Sequence, residues 1–162
     1  MEARSLKFVA EACDAELRCG AAEAVAKNVC TDSRKAQAGD LFFAIKGEHF
    51  DGHDFFADVA EKGVTAVVVE RGEGKSHFAK CDMLVVGNTR IALGKLAAEY
   101  RRQFDLPAIC VAGSNGKTTV KELIASVLKQ KLATLWSDAS FNNDIGVPLT
   151  LLRLEKSHQA AV

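Results

Sequence analysis

The chain of 162 residues contains equal numbers of acidic and basic residues, so its formal net charge at pH 7 is zero. Hydrophobic residues make up 48% of the sequence and charged residues 26%, which is typical of a globular protein and excludes a disordered chain. This balance gives no bulk-charge reason to expect nucleic acid or an anionic membrane as a partner. The length suits one domain with a full core, or two small domains.

Export and membrane signals are absent from the sequence. The first residues lead into a mixed polar segment, and no apolar run approaches the roughly 20 residues that a membrane-spanning helix requires. The five cysteines are odd in number and have no close paired spacing, so we expect reduced thiols and no disulfide framework. These features predict a cytoplasmic protein without a membrane partner. The sequence does not fix the oligomeric state, and we favour a monomer.

The first half of the chain alternates between predicted helices and predicted strands. Ser5 is placed to cap a short first helix, and residues 53–62 fit a second helix that Gly63 is placed to end. Strands are predicted at residues 25–30, 40–45, 64–69 and 83–86, and the apolar run at 41–45 is continuous enough for burial on both faces. This alternation predicts a small α/β domain over residues 1–84.

A second unit, the start of a parallel-sheet domain, is predicted over residues 85–162. A long helix begins at Asn88 or Thr89, and residues 108–112 form a buried strand that leads into a glycine loop. The helix after that loop is predicted from an apolar stripe at offsets of three and four, formed by Val120, Leu123, Ile124, Val127 and Leu128. Residues 160–162 open another strand. Because so few strands do not complete a nucleotide-binding sheet, we expect a truncated chain.

Residues 113–119 read Gly-Ser-Asn-Gly-Lys-Thr-Thr and carry the chain's most specific functional motif. A phosphate-binding loop requires a buried strand, then a turn with inward-pointing amides, then a helix N-terminus directed at the anion. The predicted elements supply these in that order, with Lys117 on the outer phosphates and Thr118 on Mg²⁺. The predicted ATP-binding residues are Gly113, Ser114, Asn115, Gly116, Lys117, Thr118 and Thr119.

Two details bear on how specific this motif is. The first glycine of the general pattern would fall at Val111, so only the shorter form Gly-x-x-Gly-Lys-Thr is present. A second Gly-Lys-Ser stretch, residues 72–76, is predicted to be a surface turn. It leaves no room for a helix before the next strand, and Glu73 would place negative charge inside the phosphate cradle.

The glycine loop and four other segments resemble the Mur ligases of bacterial cell-wall synthesis. The shortened loop is the form that this family uses. Residues 31–34 (Thr-Asp-Ser-Arg), 39–47 and 51–55 are similar to the family's UDP-binding domain. Residues 141–152 (Phe-Asn-Asn-Asp-Ile-Gly-Val-Pro-Leu-Thr-Leu-Leu) resemble the member that adds D-alanyl-D-alanine, rather than the member that adds the third residue of the peptide.

The resemblance implies an ATP-dependent peptide ligase of peptidoglycan synthesis, and hence a role in cell shape and cell division. Such an enzyme uses ATP and Mg²⁺ to phosphorylate the terminal carboxylate of UDP-N-acetylmuramoyl-tripeptide. The amine of D-alanyl-D-alanine then displaces phosphate from the acyl-phosphate. Residues 1–84 would be the UDP-sugar-peptide-binding domain and residues 85–162 the first part of the central P-loop ATPase domain. An acidic metal ligand and the amine-substrate domain would follow Val162, so we expect no turnover from these 162 residues alone.

The resemblance also gives roles to individual residues. Lys117 and Thr118 are the catalytic candidates, and Asn142 and Asn143 are expected to line the active site. For Asn142 and Asn143, a helix-capping turn before Pro148 is an equally open interpretation. The candidate UDP-substrate residues are Ser33, Arg34, Lys46, Gly47, His53 and Asp54.

Four of these substrate residues also have other interpretations. A guanidinium fork suits a diphosphate, although residues 33 and 34 also fit an ordinary polar turn. His53 belongs to a group of imidazoles and carboxylates that offers metal ligands, but their spacing matches no firm zinc pattern, and we favour a pocket wall. That group is His49, Asp51, His53 and Asp54.

Two further functions stay open from the residues alone. Another P-loop enzyme, such as a small-molecule kinase, needs a catalytic acidic residue and a lid, and no carboxylate after Thr119 has a convincing lid setting. Those carboxylates are Glu122, Asp138, Asp144 and Glu155. The other alternative is a nucleotide-binding module without catalysis.

Overall fold

The computed structural model describes residues 1–72, 81–138 and 141–162. Within them the chain forms two compact units, Met1–Leu96 and Ala97–Val162. The predicted domain boundary, between residues 84 and 85, lies before the helix in which the units divide, and it stays a prediction. Most of the predicted surface turn at residues 72–76 lies outside the described residues.

The first unit is built on one mixed sheet with a parallel centre. The elements are β1 (Arg4–Ser5), α1 (Leu6–Cys13), β2 (Glu16–Cys19), β3 (Val25–Ala26), β4 (Asn28–Cys30), β5 (Asp40–Phe43), a 3-10 turn (Gly52–Phe55), α2 (Phe56–Glu61), β6 (Ala66–Glu70), β7 (Asp82–Val86) and α3 (Thr89–Arg101), within which the unit ends. The strands of the sheet lie in the order β2-β7-β6-β5-β4, in which β4 to β7 are parallel and β2 is an antiparallel edge strand.

The core of this unit follows from the continuous apolar runs of its central strands. Strands with helices over both faces are buried on both faces, and β5 is buried along its whole length. Phe56, Val59 and Ala60 of α2 join one buried cluster with Phe42 and Val67 of the sheet. The strands predicted at 40–45, 64–69 and 83–86 are confirmed, and so is the α/β fold class.

The helix caps predicted at Ser5 and Asn88 are confirmed. The Ser5 hydroxyl accepts a hydrogen bond from the Phe8 amide at 3.3 Å and caps α1. The Asn88 side chain accepts from the Ile91 amide at 3.0 Å at the start of α3. Both side chains satisfy helix amides that lack a partner within the helix, which is why such residues mark helix starts.

The single strand predicted at residues 25–30 is wrong. The structure divides it at Lys27 into β3, which pairs antiparallel with β1, and β4, which pairs in parallel with β5. The Lys27 amide donates instead to the Gly39 carbonyl at 3.0 Å. Because β3 and β4 belong to different sheets, the strands that they pair with decide where residues 25–30 divide. The helix predicted at 53–62 also differs, because it begins as a 3-10 turn at Gly52 before α2.

The second unit contains short elements. They are α4 (Lys117–Leu128), β8 (Thr134–Leu135), α5 (Gly146–Leu151) and β9 (Ala160–Ala161). Strands β8 and β9 pair in parallel, and Ala108 forms a parallel bridge with Ala161. The strand predicted at residues 108–112 is therefore wrong beyond Ala108. Its partner β9 is only two residues long, and a ladder cannot extend past its partner.

The predicted helix α4 is confirmed, but the burial of its apolar stripe is wrong in part. Val120, Leu123 and Val127 are exposed, whereas Lys121 and Ala125 are buried. The buried positions are four residues apart and lie on one face of the helix, and α4 packs against β8. Sequence periodicity predicts the helix, but the neighbouring strand decides which face is covered. None of the helices in the described residues is long and apolar enough to cross a membrane.

Candidate functional site

The glycine loop lies at the N-terminus of α4 and is exposed to solvent. Gly116 is the N-cap residue with φ 75°, and Gly113 has φ 145°. Residues with a side chain rarely adopt such angles, so both positions require glycine. No side chain caps α4, and its first turn contains no acidic residue. The amides and the positive end of the helix dipole are therefore open to an anion.

Lys117 bends back over this loop. Its ammonium donates to the Gly113 carbonyl at 2.7 Å and to the Ser114 carbonyl at 3.2 Å. Neutral carbonyls position the charge without neutralising it. The combination of open amides and a positioned cation is the arrangement that recognises a phosphate group.

A cavity of about 400 Å³ opens beside Lys117 and Thr118, within the second unit. Its wall is mainly apolar, and Asn142 is among its polar lining residues. The complete lining is Ala108, Ile109, Cys110, Val111, Lys117, Thr118, Lys121, Leu135, Ser137, Phe141, Asn142, Val147, Thr150, Leu151, Ala161 and Val162. The glycine loop thus borders a pocket that has room for part of a small molecule.

The two adjacent asparagines have different surroundings. The Asn143 side-chain oxygen accepts from the amides of Ile145 at 3.2 Å and Gly146 at 2.7 Å. This side chain therefore caps the start of α5, as the alternative interpretation has it. Asn142 lines the cavity, which is where an active-site residue is expected to lie.

The predicted substrate residues of the first unit follow neighbouring parallel strands. Ser33 and Arg34 come after β4, and Lys46 and Gly47 come after β5. Parallel strands β4 and β5 are paired, so their carboxyl ends lie at the same edge of the sheet. Open α/β sheets bind ligands at this edge, which supports the location that the sequence indicates.

Arg34 forms a forked ion pair within its own turn. Its Nε donates to Asp32 Oδ1 at 2.9 Å and its Nη2 to Asp32 Oδ2 at 2.8 Å. The hydrogen bonds from the Arg34 side chain are the main cause that lowers the pKa of Asp32 to about 2. The Arg34 side chain is 86% exposed. The guanidinium is therefore already oriented as a fork and remains accessible from solvent.

His53 is held by hydrogen bonds at both ring nitrogens. Nδ1 lies 2.6 Å from Asp51 Oδ1, and Nε2 accepts from the Glu70 amide at 3.0 Å. Burial raises the pKa of Asp51, but bonds from the His53 amide and ring and the charge of Lys46 outweigh it, so the net pKa is lowered. Lys46 Nζ lies 3.6 Å from Asp51 Oδ2. The His53 side chain is only 7% exposed and connects this loop to the end of β6.

The metal-cluster alternative at His49, Asp51, His53 and Asp54 is not supported. Among the described residues, no group of three or more His, Cys, Asp or Glu side chains is arranged to hold a metal ion. Asp51 and His53 are hydrogen-bonded to each other, and the second ring nitrogen of His53 accepts from the Glu70 amide. Asp54 is exposed at the surface of the same turn.

Lys121 is a feature of this region that the sequence analysis did not identify. It is 7% exposed and its ammonium donates to the Ser137 carbonyl at 2.5 Å, at the wall of the cavity. A signal was present, because Lys121 lies four residues after Lys117 and so shares its helix face. The spacing alone does not show that the side chain is buried.

The catalytic domain of the Mur ligase family matches residues 25–101, and the Mur ligase middle domain matches residues 111–162. UDP-N-acetylmuramoyl-tripeptide–D-alanyl-D-alanine ligase of Haemophilus influenzae is 44% identical over 140 residues, which are 84% of this chain and 30% of that protein. The Escherichia coli protein of the same name is 44% identical over 134 residues, which are 83% of this chain and 29% of that protein.

Solved structures agree with these sequence matches. MurF from Acinetobacter baumannii superimposes with a TM-score of 0.90 at 39% identity and covers 100% of this chain and 35% of its own. MurF ligase from Thermotoga maritima in complex with ADP gives a TM-score of 0.74 at 32% identity, over 83% of this chain and 31% of its own. The chain spans about 30% of the length of the curated relatives it matches. These matches confirm the resemblance seen in the motifs: the chain belongs to the Mur ligase family.

Proposed function

We propose that this chain supplies the UDP-substrate-binding unit and the ATP phosphate loop of a peptidoglycan-precursor ligase. The ligase would join D-alanyl-D-alanine to UDP-N-acetylmuramoyl-tripeptide, the reaction that the names of its relatives describe. The observation that carries this proposal is the open glycine loop, with Lys117 positioned over it and Asn142 on the adjoining cavity. The 162 residues alone are proposed to bind ligands without turnover.

The glycine loop is the proposed ATP site. Residues 113–119 would hold the phosphates through their amides, and Lys117 would move from the loop carbonyls onto the outer phosphate oxygens. ATP supplies the phosphoryl group that makes the substrate carboxylate electrophilic. Phosphoryl transfer requires mainly that the protein position the reactants and stabilise the developing charge, and Lys117 fits both roles. The Thermotoga maritima relative in complex with ADP supports nucleotide binding by this fold.

Thr118 is the proposed protein ligand of Mg²⁺. The ion keeps several waters and binds through substrate phosphates plus one or two protein oxygens, so a single hydroxyl is a suitable contribution. Thr118 is the second residue of α4, beside Lys117, and lines the cavity. Its hydroxyl would therefore lie close to the phosphates that share the ion.

The carboxyl edge of the first sheet is the proposed UDP-substrate site. The Arg34 fork would leave Asp32 and bind the diphosphate, with Ser33, Lys46, Gly47 and Asp54 around it. His53 would contribute to this site indirectly, by holding its loop in place, because both of its ring nitrogens are hydrogen-bonded, to Asp51 and to the Glu70 amide. ATP and UDP-linked precursors are cytoplasmic metabolites, which supports a cytoplasmic location. We also propose that the protein is a monomer.

Calorimetric titration of the 162-residue chain tests both sites separately. We expect saturable binding of MgATP and of UDP-N-acetylmuramoyl-tripeptide. Lys117→Ala should weaken MgATP binding about tenfold or more and leave the UDP substrate unaffected, because charged hydrogen bonds contribute roughly 1.5–3 kcal/mol. Arg34→Ala should weaken binding of the UDP substrate and leave MgATP binding unaffected.

Lys131→Ala is the matched control, because it removes an exposed lysine that lies after α4. It should leave both affinities unchanged. A folded wild-type chain that binds neither ligand would contradict the proposal as a whole. Unchanged MgATP binding by Lys117→Ala would contradict the phosphate role of the loop.

A further inference from the structure

Lys121 is the buried cation of the second unit. Lys117 and Lys121 are separated by one turn of α4, so both side chains leave the same face of the helix. They have different partners. Lys117 lies over the exposed glycine loop, whereas the Lys121 side chain is 9% exposed and extends to the cavity wall.

Burying an ammonium group is unfavourable unless polar partners replace its water. Lys121 has two such partners: its Nζ donates to the Ser137 carbonyl at 2.5 Å and lies 2.9 Å from Glu122 Oε1. Glu122 is half exposed and neighbours Lys121 on the helix. Ser137 lies beyond the end of β8, so this hydrogen bond joins the phosphate-loop helix to a different part of the chain.

Ser137 begins the segment that leads to the asparagines. The Ser137 amide donates to the Val162 carbonyl at 3.1 Å, and the Phe141 amide donates to the Asp138 carbonyl at 2.9 Å. Phe141 then lies against Gly146, where an added Cβ would come within 2.5 Å of the Phe141 Cα. Among the described residues, contacts therefore link Lys121 to Ser137 and Asp138 to Phe141, the residue before Asn142.

We propose that Lys121 is a positioning residue of the nucleotide site. By holding the Ser137 carbonyl, it fixes Ser137 and Asp138 relative to α4. The hydrogen bond from the Phe141 amide to the Asp138 carbonyl then places Asn142 on the cavity beside Thr118. Nucleotide affinity then depends on a side chain that touches no nucleotide. This inference rests on the proposed function of the glycine loop.

The test compares MgATP binding by wild type, Lys121→Met and Lys121→Arg in the 162-residue chain. Lys121→Met keeps the apolar stem and removes the donor, and we expect about tenfold weaker binding. Lys121→Arg retains a charged donor and should restore most of the affinity. A role limited to packing would instead be served better by methionine than by arginine.

Trp136 gives a second readout, because it is the only tryptophan of the chain and precedes Ser137. In Lys121→Met without nucleotide, its fluorescence should be quenched more readily by acrylamide, since the segment is released from α4. Arg153→Met is the matched control. It removes a cation that pairs with Asp138 on the same segment, but this pair is about half exposed and should contribute little.

The outcomes separate the two proposals. If wild type binds MgATP and Lys121→Met binds equally well, or if arginine restores nothing, the positioning role is overturned and the ATP site stands. If folded wild type does not bind MgATP, both are overturned. Should circular dichroism show that Lys121→Met is unfolded, Lys121→Gln, which keeps a neutral donor, replaces it with an expected affinity between those of wild type and Lys117→Ala.

Discussion

The two compact units bury their apolar residues to different extents. In Met1–Leu96, β5, β6 and β7 each have a neighbouring strand on both edges, and their hydrophobic residues are almost completely buried. In Ala97–Val162, β8 and β9 have two residues each. Among the described residues of that unit, six large hydrophobic side chains are exposed: Ile109, Val120, Leu123, Val127, Phe141 and Val147.

This difference shows that a suitable pattern is not enough to bury a side chain. The stripe on α4 has the correct helical spacing, yet three of its members are exposed because no described element covers that face. Burial requires an opposing surface, and the hydrophobic contribution to stability scales with the area that such a surface removes from water. The first unit should therefore supply most of the chain's resistance to unfolding.

Thiol reactivity should give the largest contrast between the units. Cys13 is buried in the first unit, and burial is the main cause that raises its pKa to about 12. Cys110 is exposed in the second unit. Iodoacetamide labelling read by peptide mass spectrometry should modify Cys13 at least about a hundredfold more slowly, since access requires opening of a structured unit.

The pH dependence sharpens this prediction. Raising the pH from 7 to 9 should leave Cys13 labelling slow in the folded chain, because a thiol with a pKa of about 12 stays protonated. Its raised pKa stabilises the folded state fully below the ordinary value of 9.0, and this contribution is lost as pH rises from there toward about 12. Similar labelling rates for Cys13 and Cys110 would contradict the contrast between the units.

Identical leucine truncations should have unequal costs in the two units. Leu84 is fully buried in β7, whereas Leu123 on α4 is 60% exposed. Leu84→Ala should lower the free energy of unfolding by about 3 kcal/mol, through lost transfer energy and the cavity that remains. Leu123→Ala should change it by less than about 0.5 kcal/mol. Urea denaturation followed by circular dichroism measures both, and equal costs would show that α4 is covered in solution.

Two glycine-to-alanine substitutions should change the stability with opposite signs. At Gly146 an added Cβ would lie 2.5 Å from the Phe141 Cα, so Gly146→Ala should destabilise the chain by about 1–3 kcal/mol. Gly94 lies inside α3 with no atom within 4 Å of an added Cβ. Gly94→Ala should therefore stabilise it by up to about 1 kcal/mol. Thermal denaturation would settle the sign, and a lower melting temperature for Gly94→Ala would contradict the open space there.

Much of the fold was predictable because its signals are local. The Ser5 and Asn88 caps act within one helical turn, and the buried strands are continuous apolar runs. The predictions failed where a partner far along the chain decides the outcome. Residues 25–30 divide between two sheets, and residues 108–112 pair only as far as β9 reaches.

The candidate site shows the same limit. Spacing alone indicated the glycine loop and the family, because an anion-binding turn depends on glycines and a helix start that are adjacent in sequence. It could not separate Asn142 on the cavity from Asn143 at the cap of α5. It also could not show that the His53 ring is hydrogen-bonded to both Asp51 and the Glu70 amide.

The sequence by itself therefore determined the α/β class and the family, and it indicated the glycine loop, because the signals for all three lie in neighbouring residues. Only the tertiary structure decided which side chains are buried and which polar atoms they meet. Lys121 illustrates the reason. Its charge is compatible with solvent or with a buried site. The Ser137 carbonyl, 16 residues away, joins the neighbouring Glu122 carboxylate in making the buried position favourable.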